Sequence, residues 1–156
     1  MPLRILHPTD GSTNAKLALR ECAAWSWPTG SVLRVVSVVR PWPFVGDPLM
    51  TGAAVYSQHL LDEDRRVESD LRASEDAVRA TPTDIRFETR RLEGDAGRAI
   101  VAEALEWGAD YVVMGAHGRN ALATVALGSV ARYVVEHAPC SVLVVRPRLA
   151  RVGAAK

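Results

Sequence analysis

The sequence predicts an α/β fold, a five-stranded parallel sheet with helices on both faces. Two observations carry this. Short apolar, β-branched runs alternate with longer amphipathic segments along the whole chain, and such alternation marks parallel strands joined by right-handed helical crossovers. The chain has 156 residues, 48% hydrophobic and 24% charged, which suits one globular domain with its own core. No internal repeat or linker divides it. Residues 1–147 read as a single domain and 148–156 as a flexible tail.

Residues 3–9, Leu-Arg-Ile-Leu-His-Pro-Thr, read as the first strand. Asp10-Gly11-Ser12 turns the chain, and Ser12 or Thr13 supplies a helix cap. Ala15, Ala18, Leu19, Cys22 and Ala23 then fall on one helical face, and Pro28-Thr29-Gly30 ends that helix. The β-branched run 32–39 is the second strand. Residues 40–58 break the rhythm, because Pro41, Pro43, Pro48, Gly46 and Gly52 oppose a regular element. Their Trp42 and Phe44 either cover a sheet edge or close over a ligand.

The longest helix follows over residues 60–79, with Leu60, Val67, Leu71, Ser74 and Val78 inward. Asp62–Arg66, Glu68–Arg72 and Glu75–Arg79 have the i,i+4 spacing of surface ion pairs. Residues 85–92 alternate with period two and are half polar, as an edge strand would be. Asp95 is placed to cap a third helix, with Gly97, Ile100, Val101, Ala104 and Leu105 inward and Gly108 at its end. Residues 111–114 form a short buried strand, 129–137 a fourth helix stopped by Pro139, and 141–145 the fifth strand.

Composition excludes several classes of function. A net charge of +1 with scattered basic residues gives no footprint for nucleic acid. No apolar stretch approaches the ~20 residues of a membrane span, and no signal peptide is evident, so a cytoplasmic protein is expected. Cys22 and Cys140 read as small buried hydrophobes without a disulfide framework. His7, His59 and His137 lack metal-ligand spacing.

Ligands of open parallel sheets bind outside the carboxyl ends of the strands, where strand order reverses. The loops after the first and fourth strands, Asp10-Gly11-Ser12 and Gly115-Ala116-His117-Gly118, are the candidates. In the second, an apolar run ends in Gly115, Gly118 follows, and Gly128-Ser129 opens a helix. Glycine lets backbone N–H groups approach a phosphate, and the helix N-terminus adds partial positive charge. A side chain at Gly115 or Gly118 would block that approach or demand a strained φ. Arg119 can add charge. His117 either donates to phosphate or is an exposed loop residue. Asp10 either accepts from a ribose diol or closes an Asx turn. There is no G-x-x-x-x-G-K-[ST] and no G-x-G-x-x-G. Any metal would be Mg2+, with Mn2+ possible, arriving with the phosphates. No nucleophile–base pair stands out.

These residues resemble the universal stress protein (UspA-like) family over residues 5–147. Four segments carry the likeness: His7-Pro-Thr-Asp-Gly-Ser12, Gly94-Asp-Ala-Gly-Arg-Ala-Ile100, Met114 through Arg119 with Gly128-Ser129, and Cys140 through Pro147. The third satisfies G-x2-G-x9-G-[ST], the pattern of the ATP-binding members. The resemblance implies an adenine nucleotide α-hydrolase-like, Rossmann-like sheet of order 3-2-1-4-5. It implies adenine against main chain at Val38, ribose at Asp10 and Gly115, and phosphates at Gly118, Gly128, Ser129 and Val130. Met114 and Pro8 would line the cleft. It also implies a homodimer through strand Ser141–Val145.

The function expected is an ATP-binding stress-response module in which nucleotide stabilises one state of the cleft loops and dimer. The alternative is a slow ATPase, or an autophosphorylating enzyme with Ser129 or His117 as acceptor. A receiver domain would need clustered acids beside Asp10 and an acceptor Asp after residues 85–92, and the sequence has neither.

Overall fold

A computed structural model describes residues 1–40, 52–119 and 127–147. Trp42, Phe44 and the tail 148–156 lie outside the described residues. The elements run β1 (Arg4–Pro8), α1 (Thr13–Ala24), β2 (Val32–Val39), α2 (Gly52–Arg79), β3 (Arg86–Glu93), α3 (Ala96–Trp107), β4 (Tyr111–Gly115), α4 (Ser129–His137) and β5 (Ser141–Val145). All strand pairs are parallel, in the order β3-β2-β1-β4-β5. This is the fold class and strand order expected.

Alternate residues of each strand point to opposite faces, and each face carries a helix pair. Leu6, Val36, Val38, Val112 and Met114 pack with Ile100 and Ala104 of α3 and Ala131 and Val134 of α4. Ile5, Leu33, Val35 and Val113 pack with Ala18, Leu19 and Cys22 of α1 and Val78 of α2. All five residues expected inward on α1 are buried.

Strand order reverses at β1. It pairs with β2 from Arg4↔Val32 to Pro8↔Val36, but with β4 only at Ile5↔Tyr111 and Leu6↔Val112. Beyond Leu6 the two strands part, and the ladder leaves the Val113 carbonyl open. His7, fully buried, takes it through Nδ1 at 2.7 Å. A carbonyl only accepts, so Nδ1 carries the proton and Nε2 is a bare acceptor. Among the described residues, Nε2 and the Ser37 hydroxyl are buried without hydrogen-bond partners. Burial drives the His7 pKa down from 6.5 to about 4, against the pull of the Val113 carbonyl and Asp10.

Several expectations are corrected. Helix α1 ends at Ala24 with Trp25 as C-cap, before Pro28. Trp27 folds back to donate from Nε1 to the Cys22 carbonyl and sits 5.6 Å from Trp25 and 5.9 Å from Tyr111. Helix α2 begins at Gly52, inside the segment read as irregular. The breakers cluster before residue 52, and Gln58 already makes an i,i+4 bond to Asp62. Glu68–Arg72 and Glu75–Arg79 form as expected, but Asp62 pairs with Arg65 instead of Arg66. On α3, Leu105 is 67% exposed while Glu103 is 2% exposed. Glu103 points inward because Arg34 of β2 and Arg90 of β3 meet it at 2.6 and 3.0 Å. The Arg34 guanidinium also lies over the Trp107 ring, 4.1 Å from its centroid. Cys22 is buried, but Cys140 is only partly so.

Candidate functional site

A cavity of about 510 Å3 opens at the carboxyl ends of β1, β2 and β4, a size ordinary for a small-molecule site. Pro8, Asp10, Val38, Met114, Gly115, His117, Gly118, Arg119, Gly128, Ser129 and Val130 all line it. These are the eleven site residues expected from sequence, drawn from β1, β2, β4, α4 and the loops that follow β1 and β4. The structure brings every one of them to the same wall.

Three helices present differently capped N-termini. Ser12 caps α1 by accepting from Ala15 N–H, and Asp95 caps α3 by accepting from Arg98 N–H. Gly128 caps α4 with no side-chain hydrogen bond. Its own N–H donates to the Ala116 carbonyl at 2.8 Å, and the first intrahelical bond runs from Arg132 N–H to the Gly128 carbonyl. The N–H groups of Ser129, Val130 and Ala131 therefore lack intrahelical acceptors, and all three residues line the cavity. With the helix dipole behind them they form an anion-binding end.

These glycines are needed for space, since among the described glycines φ is positive only at Gly11, Gly30, Gly94 and Gly108. At Gly115 a Cβ would lie 2.7–2.9 Å from backbone atoms of Asn14 and Ala15. This glycine lets α1 press against the end of β4. At Gly118 a Cβ would meet the Asp10 carboxylate at 2.7 Å. Gly128 is less constrained, its nearest neighbour being the Ala116 carbonyl at 3.3 Å.

Asp10 ties the two loops together. Its Oδ1 accepts from Ser12 N–H and its Oδ2 from Arg119 N–H, each at 3.0 Å. Thus the Asx turn forms, and one carboxylate also fixes the β4–α4 loop. The His117 carbonyl accepts from Asn14 Nδ2 at 3.3 Å, fastening the same loop to α1. The Arg119 guanidinium reaches Asp70 of α2 at 2.6 Å. Its charge is already answered within the protein.

Sequence reasoning missed the base of the cavity. Glu63 and Arg66 of α2, with Arg40 after β2, line it. Arg66 holds Glu63 as a fork, Nε to Oε1 at 3.0 Å and Nη2 to Oε2 at 2.7 Å. Its Nη1 donates to Asp70 at 3.1 Å and its Nη2 to the Val38 carbonyl at 3.0 Å. The hydrogen bonds from Arg66 hold Glu63 below the usual carboxylate range. Burial opposes this, and the Arg66 charge and the Arg40 backbone N–H support it. The signal was present in the sequence. Residues 63, 66 and 70 share the helical face of Val67 and Ser74.

The profile described as "Universal stress protein family" matches residues 1–146. The chain belongs to the universal stress protein family. A relative from Thermus aquaticus, named "Universal stress protein in QAH/OAS sulfhydrylase 3'region", is 34% identical over 143 residues, covering 91% of this chain and 97% of its own length. The solved universal stress protein UspA from Lactobacillus plantarum is 30% identical with a TM-score of 0.79, covering 92% of this chain and 97% of its own. A universal stress protein solved in complex with cAMP is 23% identical with a TM-score of 0.68, covering 92% and 97% respectively. That last likeness establishes the shared fold.

In this universal stress protein the lining fits a nucleotide by its own chemistry. One end offers free helix N–H groups, the middle the Asp10 carboxylate, the other end main chain of β2 between apolar Val38, Met114 and Ile100. The lining carboxylates, Asp10 and Glu63, are both bound within the protein. Among the described residues no group of three or more His, Cys, Asp or Glu side chains is placed to hold a metal. A divalent ion would be held chiefly by the phosphates themselves.

Proposed function

We propose that this chain is an ATP-binding regulatory module, a cytoplasmic homodimer in which nucleotide occupancy signals stress. The observation that carries the reading is the α4 N-terminus. Three N–H groups without intrahelical acceptors face a cavity whose far end offers main chain to a base. The triphosphate would lie at Gly118, Gly128, Ser129 and Val130, and the ribose against Asp10 and Gly115. Adenine would pack between Pro8, Val38 and Met114. If Mg2+ arrives with the nucleotide, the Ser129 hydroxyl at the start of α4 would help to hold it, and the ion would neutralise phosphate charge.

The cAMP complex of a relative supports an adenine nucleotide as the ligand class. Regulation is favoured over catalysis because both lining carboxylates are already engaged by donors, which leaves neither poised as a general base. The free thiols Cys22 and Cys140 suit a reducing compartment.

The test is denaturing extraction of freshly purified protein with mass spectrometry of released nucleotide, joined to thermal melting with Mg-ATP, AMP and cAMP. ATP near one per chain, or a melting shift with Mg-ATP of several degrees that Gly118→Val abolishes, is expected. A protein that arrives empty and gains no stability with millimolar Mg-ATP overturns the reading.

A further inference from the structure

The end of β2 is where a base edge would meet main chain, and this chain already fills it. The Val38 carbonyl accepts from Arg66 Nη2 at 3.0 Å. Glu63, one helical turn away on α2, grips the same guanidinium by the two-bond fork. An acceptor of the strand end is thus taken by a donor of α2 that a carboxylate one helical turn away holds in place. Adenine presents the same kind of donor, its exocyclic amino group, on its Watson–Crick edge.

The pair is built to stay. Glu63 and Arg66 are joined by the two-bond fork and each side chain is only 21% exposed. Arg66 is anchored again on Asp70, itself 13% exposed, and Asp70 grips Arg119 of the loop after β4. Both members line the cavity. They are partners of each other and of the strand, and so have little capacity left to recognise a ligand.

We infer that Arg66, held in place by Glu63, forms an internal plug that mimics a base's amino donor and competes with the nucleobase for the Val38 carbonyl. The inference rests on the nucleotide reading above and adds to it what sets affinity at the base end. A base that docks there must displace the plug, which frees Arg66 from Val38 and loosens its hold on Asp70. Nucleotide binding is thereby coupled to α2, and through Asp70 to the loop that carries Arg119.

Calorimetric titration of the full chain with Mg-ATP and with inorganic tripolyphosphate tests this. The double variant Glu63→Ala/Arg66→Ala removes one charge of each sign, so the net charge is unchanged. Alanine keeps the helix. The variant is expected to bind ATP roughly tenfold tighter, because the Val38 carbonyl need no longer give up a charged partner. Tripolyphosphate, which has no base, is expected to bind both proteins alike. Should the double variant melt too low to titrate, Arg66→Lys keeps the charge without the fork and is expected to show a smaller gain in the same direction.

ATP binding that is unchanged or weaker in the variants, with wild type binding normally, overturns the plug and leaves the nucleotide reading standing. An equal gain for tripolyphosphate also overturns it, since the effect then arises at the phosphate end. No ATP heat from any of the proteins overturns both readings together.

Discussion

At His7 the folded chain holds a neutral imidazole, with a donor used and an acceptor left unpaired. Its pKa falls from 6.5 to about 4 on folding, chiefly through burial. Between those values the unfolded chain binds a proton that the folded chain does not. The His7 contribution is therefore complete above pH 6.5 and is lost as the pH falls toward 4, at about 1.4 kcal/mol per pH unit and about 3 kcal/mol in all. Urea unfolding at pH 7 and pH 4.5 should show this fall in wild type and a smaller one in His7→Gln. Equal falls would refute the assignment. His7 was read in sequence only as a histidine without metal spacing, since nothing local says that β1 and β4 part beside it. Gly115 was legible as a required glycine, but its need arises from Asn14 and Ala15, a hundred residues away in sequence. The Asx turn at Asp10 was legible. That its second oxygen fastens the β4–α4 loop is a tertiary fact that no local pattern encodes.

The helices show where periodicity suffices and where it misleads. Helix α4 and strands β2 and β5 have the expected bounds because apolar spacing and terminators agree. On α3 the apolar stripe drew Leu105 inward, whereas the buried position is Glu103. Helical spacing allows either, and the choice is made by Arg34 and Arg90 on the strands opposite. Glu103→Ala should cost about 3 kcal/mol in chemical denaturation, the low end for breaking a buried pair because Glu88 still holds Arg34. Glu103→Gln, which keeps a hydrogen-bonding oxygen, should cost clearly less. If both variants unfold at the wild-type midpoint, the network does not pin α3 to the sheet. On α2 the same lesson runs the other way. Arg66, read as half of a surface ion pair with Asp62, is instead sheltered together with Glu63 and Asp70.

Taken whole, the sheet has two unlike edges. Strand β3 exposes Arg86, Arg90, Arg91 and Glu93, charges that discourage another strand from pairing. Strand β5 is Ser-Val-Leu-Val-Val, with Leu143 36% exposed and no charge of its own. A two-fold pairing of β5 with its mate would cover it. Leu143→Lys should shift the mass in light-scattering chromatography from dimer to monomer while the circular dichroism stays unchanged. A wild type that elutes as a monomer at micromolar concentration would remove the dimer from the proposal.

The crossovers also sort the aromatic residues. Each helix runs opposite to its strands, so helix ends and helix beginnings lie at opposite poles of the sheet. Trp25 and Trp27 follow the end of α1, and Trp107 closes α3. None of these three lines the cavity. Indole emission from them is therefore blind to what enters at the far pole. The fourth indole, Trp42, stands two residues beyond Arg40 in the sequence. Comparing the wild type with Trp42→Phe then separates the emission of this fourth indole from that of the other three.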